Sequence, residues 1–251
     1  VMKVNAHLHT PYSFSAFIDI DDALDRAVKE GVKVVGINDF YTTSGYDAWA
    51  EGCKKRNLFP LFGIEFISVN EADQRAGLRV NDPGNPGRTY MSGKGMSYPF
   101  MLDEPYATQL ASVRKEANDQ VEAMCGKLNG LLQAKRIDFS LDFELIKNEL
   151  TKGSIRERHL AKVLRMKVYE FCGNEETKIK SVFSLLFGGK ELKSSITDFA
   201  GVENEIRGNL LKAGGAAFVP ETAEAFLPMQ SVCEIILAGG GIPTYPFLAD
   251  D

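Results

Sequence analysis

The hydrophobic positions in the first third of the chain alternate between two periods. Compact apolar runs at about 1–9, 32–37 and 58–67 are typical of buried strands, and amphipathic stretches with helical spacing fill about 19–31 and 46–56. Strands and helices that alternate in this way are joined by right-handed crossovers and form parallel sheets or barrels. The pattern therefore predicts an α/β fold whose polar residues gather at the carboxyl ends of the strands.

The pattern changes twice further along the chain. Residues 70–105 are rich in glycine and proline and are predicted as a long loop, and the following residues are nearly all helical in pattern. After Phe226 a short apolar helix and a fourth strand over 242–248 are predicted. We therefore predict one α/β domain, built from 1–103 and 227–251, that is interrupted by a helical insertion over 104–226.

Four strands are too few to close a barrel. The chain also begins with a valine. We therefore expect it to be a piece of a longer protein whose remaining strands follow Asp251.

Composition excludes several classes of function. Hydrophobic residues make up 44% of the 251 residues, and the net charge of −5 provides no basic footprint, so nucleic acid is not a favoured partner. The four cysteines form no C-x-x-C pair, which indicates reduced thiols. No apolar run approaches the roughly 20 residues of a membrane span, and no signal peptide is evident. A cytoplasmic location without membrane contact is therefore expected.

Candidate chemistry begins with His7 and His9. Alternate side chains of a strand share one face, so both imidazoles are predicted to point to the same side and to offer neutral nitrogen ligands to one cation. Glu65 lies in a very apolar strand and needs a partner there, because an unpaired buried carboxylate is costly. The third histidine, His159, is either a helix-packing residue or one that the helical module presents towards the site.

Four segments together resemble the polymerase and histidinol phosphatase (PHP) family: His7-Leu-His-Thr-Pro-Tyr-Ser13, the strand end Ile37-Asn-Asp39, Gly63-Ile-Glu65 and Gly241-Ile-Pro-Thr-Tyr-Pro246. The resemblance covers about residues 1–67 and 228–248. It implies a distorted seven-stranded β/α barrel that binds two or three metal ions at the strand ends and hydrolyses phosphate esters. For this chain it implies an incomplete barrel of that type with the helical insertion inside it.

The resemblance assigns candidate metal-ligand roles to His7, His9, Glu65 and Asp39, the last of which matches the aspartate of a Thr-Asp-His element. Two family histidines are replaced in this sequence, by Phe40 and by Tyr245. Phenylalanine has no lone pair, and tyrosine is a poor ligand at neutral pH because its pKa is about 10. The reduced ligand set predicts one Zn²⁺, Mn²⁺ or Fe²⁺ ion, or none.

Three functions fit these observations. The first is a metal-dependent phosphoesterase acting on a small, unknown phosphate ester, with Asp39, Arg88 and Lys94 as its further catalytic groups. In this hypothesis Arg88 or Lys94 holds the phosphate, although their glycine-rich segment could equally be a solvated lid. The second function is a degenerate, non-catalytic domain that binds a phosphorylated ligand or serves as a scaffold. The third makes the helical insertion a docking module for a protein partner.

Overall fold

A computed structural model describes residues 2–246 of the chain. These residues form two compact units, one built from the segments up to Glu116 and from Thr222 onwards, the other from Ala117 to Glu221. We call them the sheet unit and the helical unit. No helix among the described residues is long and apolar enough to cross a membrane.

The elements follow one another in the order β1 (Lys3–Leu8), α1 (Ile20–Lys29), β2 (Val32–Phe40), α2 (Tyr46–Lys55), β3 (Phe59–Val69), α3 (Glu71–Arg75), β4 (Arg88–Lys94), α4 (Tyr106–Ala134), α5 (Phe143–Leu150), α6 (Glu157–Phe171), α7 (Glu176–Leu186), α8 (Phe199–Ile206), a π-helical turn (Arg207–Leu211), a 3₁₀ turn (Ala223–Ala225), β5 (Leu227–Pro228), α9 (Met229–Ala238) and β6 (Ile242–Thr244).

The six strands form one mixed sheet. β1, β2 and β3 are parallel neighbours, β4 runs antiparallel to β3, and β6 runs antiparallel to β4. Within residues 2–246, β1 and β6 are the two edges, so the sheet is open. The predicted α/β fold with parallel strands is confirmed, and barrel closure is not observed in this part of the chain.

The loop predicted over 70–105 is wrong in its central part. It contains the short helix α3 and the seven-residue strand β4, which pairs along its whole length with β3. The sequence of β4 shows no hydrophobic alternation, because Thr89 and Ser92 are buried polar residues. Lys94 therefore ends a strand rather than lying in a flexible loop. The strand predicted over 242–248 is observed as Ile242–Thr244, and its last two positions lie outside the described residues.

The two faces of the sheet differ in how they are covered. On one face Ile37, Ile64 and Phe66 are fully buried in a core that also contains Leu24 of α1 and Trp49 of α2. We call the opposite face, which carries Asn38, Glu65 and Lys94, the inner face. Three apolar side chains of the inner face are widely exposed: Val4 (55%), Phe59 (63%) and Ile242 (69%).

A one-residue bulge in β1 sets the direction of its histidines. Val4 and Asn5 pair with consecutive residues of β2, but Leu8 pairs with Ile37, so three steps along β1 match two along β2. Such a bulge reverses the alternation of side chains beyond it. As a result both Val4 and His7 lie on the inner face, although they are three positions apart and would lie on opposite faces of a regular strand. Gly36 lies opposite the bulge, where an added Cβ would be 2.7 Å from the Ala6 carbonyl oxygen.

The helical unit has its own core, formed by apolar residues of α4 to α8 such as Leu164, Ile179 and Phe183. His159 lies in the first turn of α6, which begins at Glu157 and has Arg156 as its N-cap. Its Nδ1 accepts a hydrogen bond of 2.9 Å from the backbone N–H of Arg156. This contact gives His159 the helix-packing role, the first of the two predicted alternatives.

We predict that Gly36→Ala destabilises the sheet unit, because the new methyl group would collide with backbone atoms of Ala6 rather than with a flexible side chain. The expected loss of unfolding free energy is about 2–3 kcal/mol, measured from urea unfolding. Gly126→Ala is the control, since nothing lies within 4 Å of a Cβ there and alanine is favoured in a helix interior. An unchanged urea midpoint for Gly36→Ala would show that the bulge adapts.

A second prediction concerns the pH dependence of stability. Burial, reinforced by neighbouring arginines, lowers the pKa of His159 to about 4, whereas the unfolded chain takes up this proton near pH 6.5. This contribution to stability is therefore complete above pH 6.5 and is lost as the pH falls towards 4, by about 3 kcal/mol at most. Glutamine can also occupy this capping position, so the urea midpoint of His159→Gln should fall less between pH 7 and pH 5 than that of the wild type. Equal falls of the urea midpoint in His159→Gln and in the wild type would contradict the assignment of this pH dependence to His159.

Candidate metal site

The centre of the site is one carboxylate oxygen of Glu65. Oε2 lies 3.2 Å from Nε2 of His7 and 3.1 Å from Nε2 of His9. Among the described residues, these three side chains are the group of histidine, cysteine and acidic residues whose ligand atoms come within 4.8 Å of one another. β1 supplies His7, the segment just after it supplies His9, and the neighbouring β3 supplies Glu65 through its inner face.

Glu65 is buried, with 5% of its surface exposed, and yet its pKa is held below the usual value for glutamate. Burial acts in the opposite direction and raises the pKa, but hydrogen bonds and charge interactions with His7 and His9 outweigh it. The carboxylate is therefore ionised at neutral pH, as a metal ligand has to be. The predicted need of this carboxylate for partners is met by both imidazoles.

The imidazole of His9 packs against two aromatic rings. The ring of Phe14 stacks on it at a centroid distance of 4.7 Å and the ring of Phe40 at 5.1 Å. Its Nδ1 is buried and has no hydrogen-bond partner among the described residues. Phe40 thus stands beside the site as packing for His9, at the position where the family motif has a histidine.

The second ring nitrogen of His7, Nδ1, faces a cation. The ammonium of Lys94 lies 3.5 Å from His7 Nδ1, and it also donates to Asn38 Oδ1 at 2.8 Å and to the Ala6 carbonyl at 2.9 Å. Burial lowers the pKa of Lys94 to about 8, an effect that the charge of Glu65 opposes. Lys94 is therefore predominantly charged at pH 7 and lies close to the ligand group.

Asn38 connects Lys94 to the rest of the site. Because its Oδ1 faces the ammonium, its Nδ2 faces the other way, 3.2 Å from Ser92 Oγ and 3.1 Å from His7 Nε2. A Cβ on Gly63, the neighbour of Asn38 on β3, would lie 2.5 Å from Asn38 Oδ1. Glycine at 63 is thus what leaves room for the amide.

Asp39 has a different set of partners from the three clustered residues. Its carboxylate accepts hydrogen bonds from the Thr10 backbone N–H at 2.7 Å, the Thr10 hydroxyl and the Ser13 hydroxyl at 2.6 Å. Burial raises its pKa, and these hydrogen bonds oppose that rise. Asp39 therefore anchors the loop that follows His9, and it lies outside the group His7, His9 and Glu65.

Arg88 and Lys94 stand at opposite ends of β4. Six residues of an extended strand separate their backbones by about 20 Å. The guanidinium of Arg88 lies over the ring of Phe226, 4.3 Å from its centroid. The structure brings Lys94 to the ligand group and leaves Arg88 with an aromatic partner elsewhere. Tyr245, which follows β6, is 40% exposed.

The three ligand atoms suit one metal ion. Metal–ligand bonds of about 2.0–2.2 Å place neighbouring ligand atoms about 3.3–3.6 Å apart at near-tetrahedral angles, and the two observed nitrogen–oxygen distances are slightly shorter than this. The groups that surround the three ligands fit a metal site less well, since a ligating histidine normally donates its second N–H to an acceptor. Behind His7 stands a lysine, which is a donor, and His9 Nδ1 has no partner in the described part of the chain.

Sequence reasoning missed Asn38 and Ser92 as parts of the site. Both are fully buried polar residues in strands. An asparagine that directly follows an apolar run was a usable signal, because buried amides require partners. Ser92 gave no such signal, since its segment did not have the pattern of a strand.

Comparisons with solved structures identify similar folds. The chain superposes on a structure described as a metal-dependent phosphoesterase from Bifidobacterium adolescentis with a TM-score of 0.59 and 18% identity, covering 100% of this chain and 72% of that one. It also superposes on an amidohydrolase from Chromobacterium violaceum, solved with sulfate and without metal, with a TM-score of 0.58 and 16% identity, covering 97% and 66%. At these identities the likeness shows the fold.

A sequence search among curated proteins finds no match. The family model of the PHP domain, however, matches residues 5–160, which include His7, His9, Glu65 and Lys94. The match covers more than half of the chain, and it agrees with the resemblance carried by the histidine pair and the Gly-Ile-Glu segment. The chain belongs to the PHP domain family.

Proposed function

We propose that this protein is a metal-dependent phosphoesterase that works with a single transition-metal ion. The observation that carries the proposal is the shared oxygen of Glu65, which lies within 3.2 Å of two imidazole nitrogens. Two nitrogens and one ionised carboxylate suit Zn²⁺, Mn²⁺ or Fe²⁺ better than Mg²⁺. Three ligands leave open positions for water and substrate.

In this proposal each residue of the site has a separate task. His7, His9 and Glu65 hold the ion, which when bound supplies a Lewis acid and lowers the pKa of water. Phe14 and Phe40 restrict the orientation of the His9 ring by packing against it. Asp39 supports the reaction indirectly, because it fixes the Thr10–Ser13 loop beside the ligands.

Lys94 is the proposed anion-binding group for a phosphate oxygen, since its ammonium lies beside the ligand group on the inner face. Arg88 stands about 20 Å away along β4, so it can serve the same substrate only if that substrate extends along the strand. A small phosphate ester would therefore contact Lys94 alone. The helical unit remains a proposed docking module for a protein partner.

The alternative function is phosphate-ligand binding without catalysis. The observation that favours it is the charge of Lys94, which supplies an anion-binding cation even without metal. It shares the residues of the main proposal and differs from it in needing no ion. Binding of inorganic phosphate to metal-free protein, without turnover of any ester after metal loading, would support this alternative.

The test of the main proposal is hydrolysis of an aryl phosphate by protein loaded separately with Zn²⁺, Mn²⁺ and Fe²⁺. Replacing both His7 and His9 by alanine should remove the bound ion and lower the rate by roughly two orders of magnitude or more. His159→Gln is the control, because that histidine lies at the start of α6 and caps it. Activity that survives in the double variant, or wild-type protein that binds no transition metal, would refute the proposed site.

A second prediction restores the motif of the family at position 40. In Phe40→His a third imidazole would stand beside His9, so the affinity for Zn²⁺ should rise by about tenfold. Phe14→His is a matched control, because Phe14 also stacks on His9 but is not a motif position. Metal affinity is measured by competition with a chromophoric chelator. An equal rise in both variants, or none in Phe40→His, would contradict the role assigned to position 40.

A further inference from the structure

Lys94 has a full set of acceptors without any ligand. An ammonium has three N–H donors. Here they meet the Ala6 carbonyl oxygen at 2.9 Å, Asn38 Oδ1 at 2.8 Å and His7 Nδ1 at 3.5 Å. Two of these acceptors occupy space that a side chain would otherwise fill. A Cβ at position 36 would lie 2.7 Å from the Ala6 carbonyl oxygen, and a Cβ at position 63 would lie 2.5 Å from Asn38 Oδ1. The position of the cation is therefore built into the sheet.

The partners of His7 determine which ring nitrogen carries the proton in the neutral imidazole. With the proton on Nε2, the ring donates to Glu65 at 3.2 Å and accepts from Lys94 at Nδ1, so two charged partners are satisfied. With the proton on Nδ1, Nε2 can accept from the neutral amide of Asn38, but its lone pair then faces the Glu65 carboxylate and the Nδ1 proton faces the Lys94 ammonium. The contacts of the neutral ring therefore favour the proton on Nε2.

Metal binding reverses this arrangement. A metal ion takes the lone pair of Nε2, so the proton of a neutral His7 must move to Nδ1. There it faces an ammonium, which has no acceptor. The contact between Lys94 and His7 cannot coexist with a metal ion on Nε2 of the neutral ring.

We propose that Lys94 competes with the metal ion for His7 and thereby sets the metal affinity of the site. The inference rests on the proposed function, since it concerns the same ligands. The ammonium of Lys94 contacts His7, which in turn contacts the Glu65 carboxylate, so a divalent ion would bind next to a cation of this sheet. Metal entry releases the ammonium from His7 and leaves it available to an anion.

The experiment measures Zn²⁺ affinity by chelator competition in wild-type protein and in a pair of variants. Lys94→Gln removes the charge and keeps a donor for the Ala6 carbonyl, so it should bind Zn²⁺ at least about tenfold more tightly. Lys94→Arg keeps the charge and should stay within about threefold of the wild type. Lys54→Gln, at an exposed position of α2, removes a charge elsewhere in the sheet unit and should have no effect. The variant without His7 and His9 provides the background.

Each outcome has one meaning. Tighter Zn²⁺ binding by Lys94→Gln, without tighter binding by Lys94→Arg or Lys54→Gln, supports competition between Lys94 and the metal ion. Equal or weaker binding by Lys94→Gln, with wild-type binding above the background, overturns the inference and leaves the proposed function standing. Zn²⁺ binding at the background level in every protein refutes both the inference and the proposed function.

A measurement on the wild type covers the case in which Lys94→Gln does not fold, as judged by circular dichroism. Nitrogen NMR of the three histidines, assigned with single variants, reports which ring nitrogen carries the proton. For His7 at pH 7 without metal we expect the proton on Nε2, and added Zn²⁺ should move it to Nδ1. A proton on Nδ1 before metal is added would overturn the proposal.

Discussion

Burial of the Glu65 carboxylate is the constraint on which the rest of the site depends. An ionised carboxylate that is 5% exposed needs partners, and the nearest donors are two imidazoles from another strand. For both rings to reach one oxygen, β1 has to change its alternation ahead of His7. The bulge achieves this change, and it requires a residue without Cβ at position 36. The buried charge of Glu65 on β3 thus accounts for the bulge in β1 and for the glycine at position 36 of β2.

The surroundings of the ligands differ from the usual outer layer of a metal site. Ligating histidines normally have acceptors behind them, which orient the ring and increase its basicity. Here a lysine stands behind His7, and two aromatic rings pack against His9. The stacking holds His9 in place, but it contributes no hydrogen bond. The site therefore has ligands arranged for metal without the polar support that tight binding requires.

The sequence predicted those parts of the molecule whose pattern is local. The alternation of strands and helices, the pair of histidines and the isolated carboxylate in an apolar strand were all visible as short-range patterns. β4 was missed because its buried positions include Thr89, Ser92 and Gly93, which are polar or small, so period-two hydrophobic alternation is absent. The bulge was missed because a strand's register depends on its neighbour. Asp39 shows the same limit, since its partners Thr10 and Ser13 become apparent only when β1 and β2 pair.

The one tryptophan of the chain has a consequence for how the protein can be studied. Trp49 lies in α2 and is fully buried against the sheet, and the helical unit contains no tryptophan. Intrinsic tryptophan fluorescence therefore reports the state of the sheet unit alone, whereas the far-ultraviolet helical signal also includes α5 to α8. Following both during unfolding would reveal whether the two units lose structure together or in separate steps.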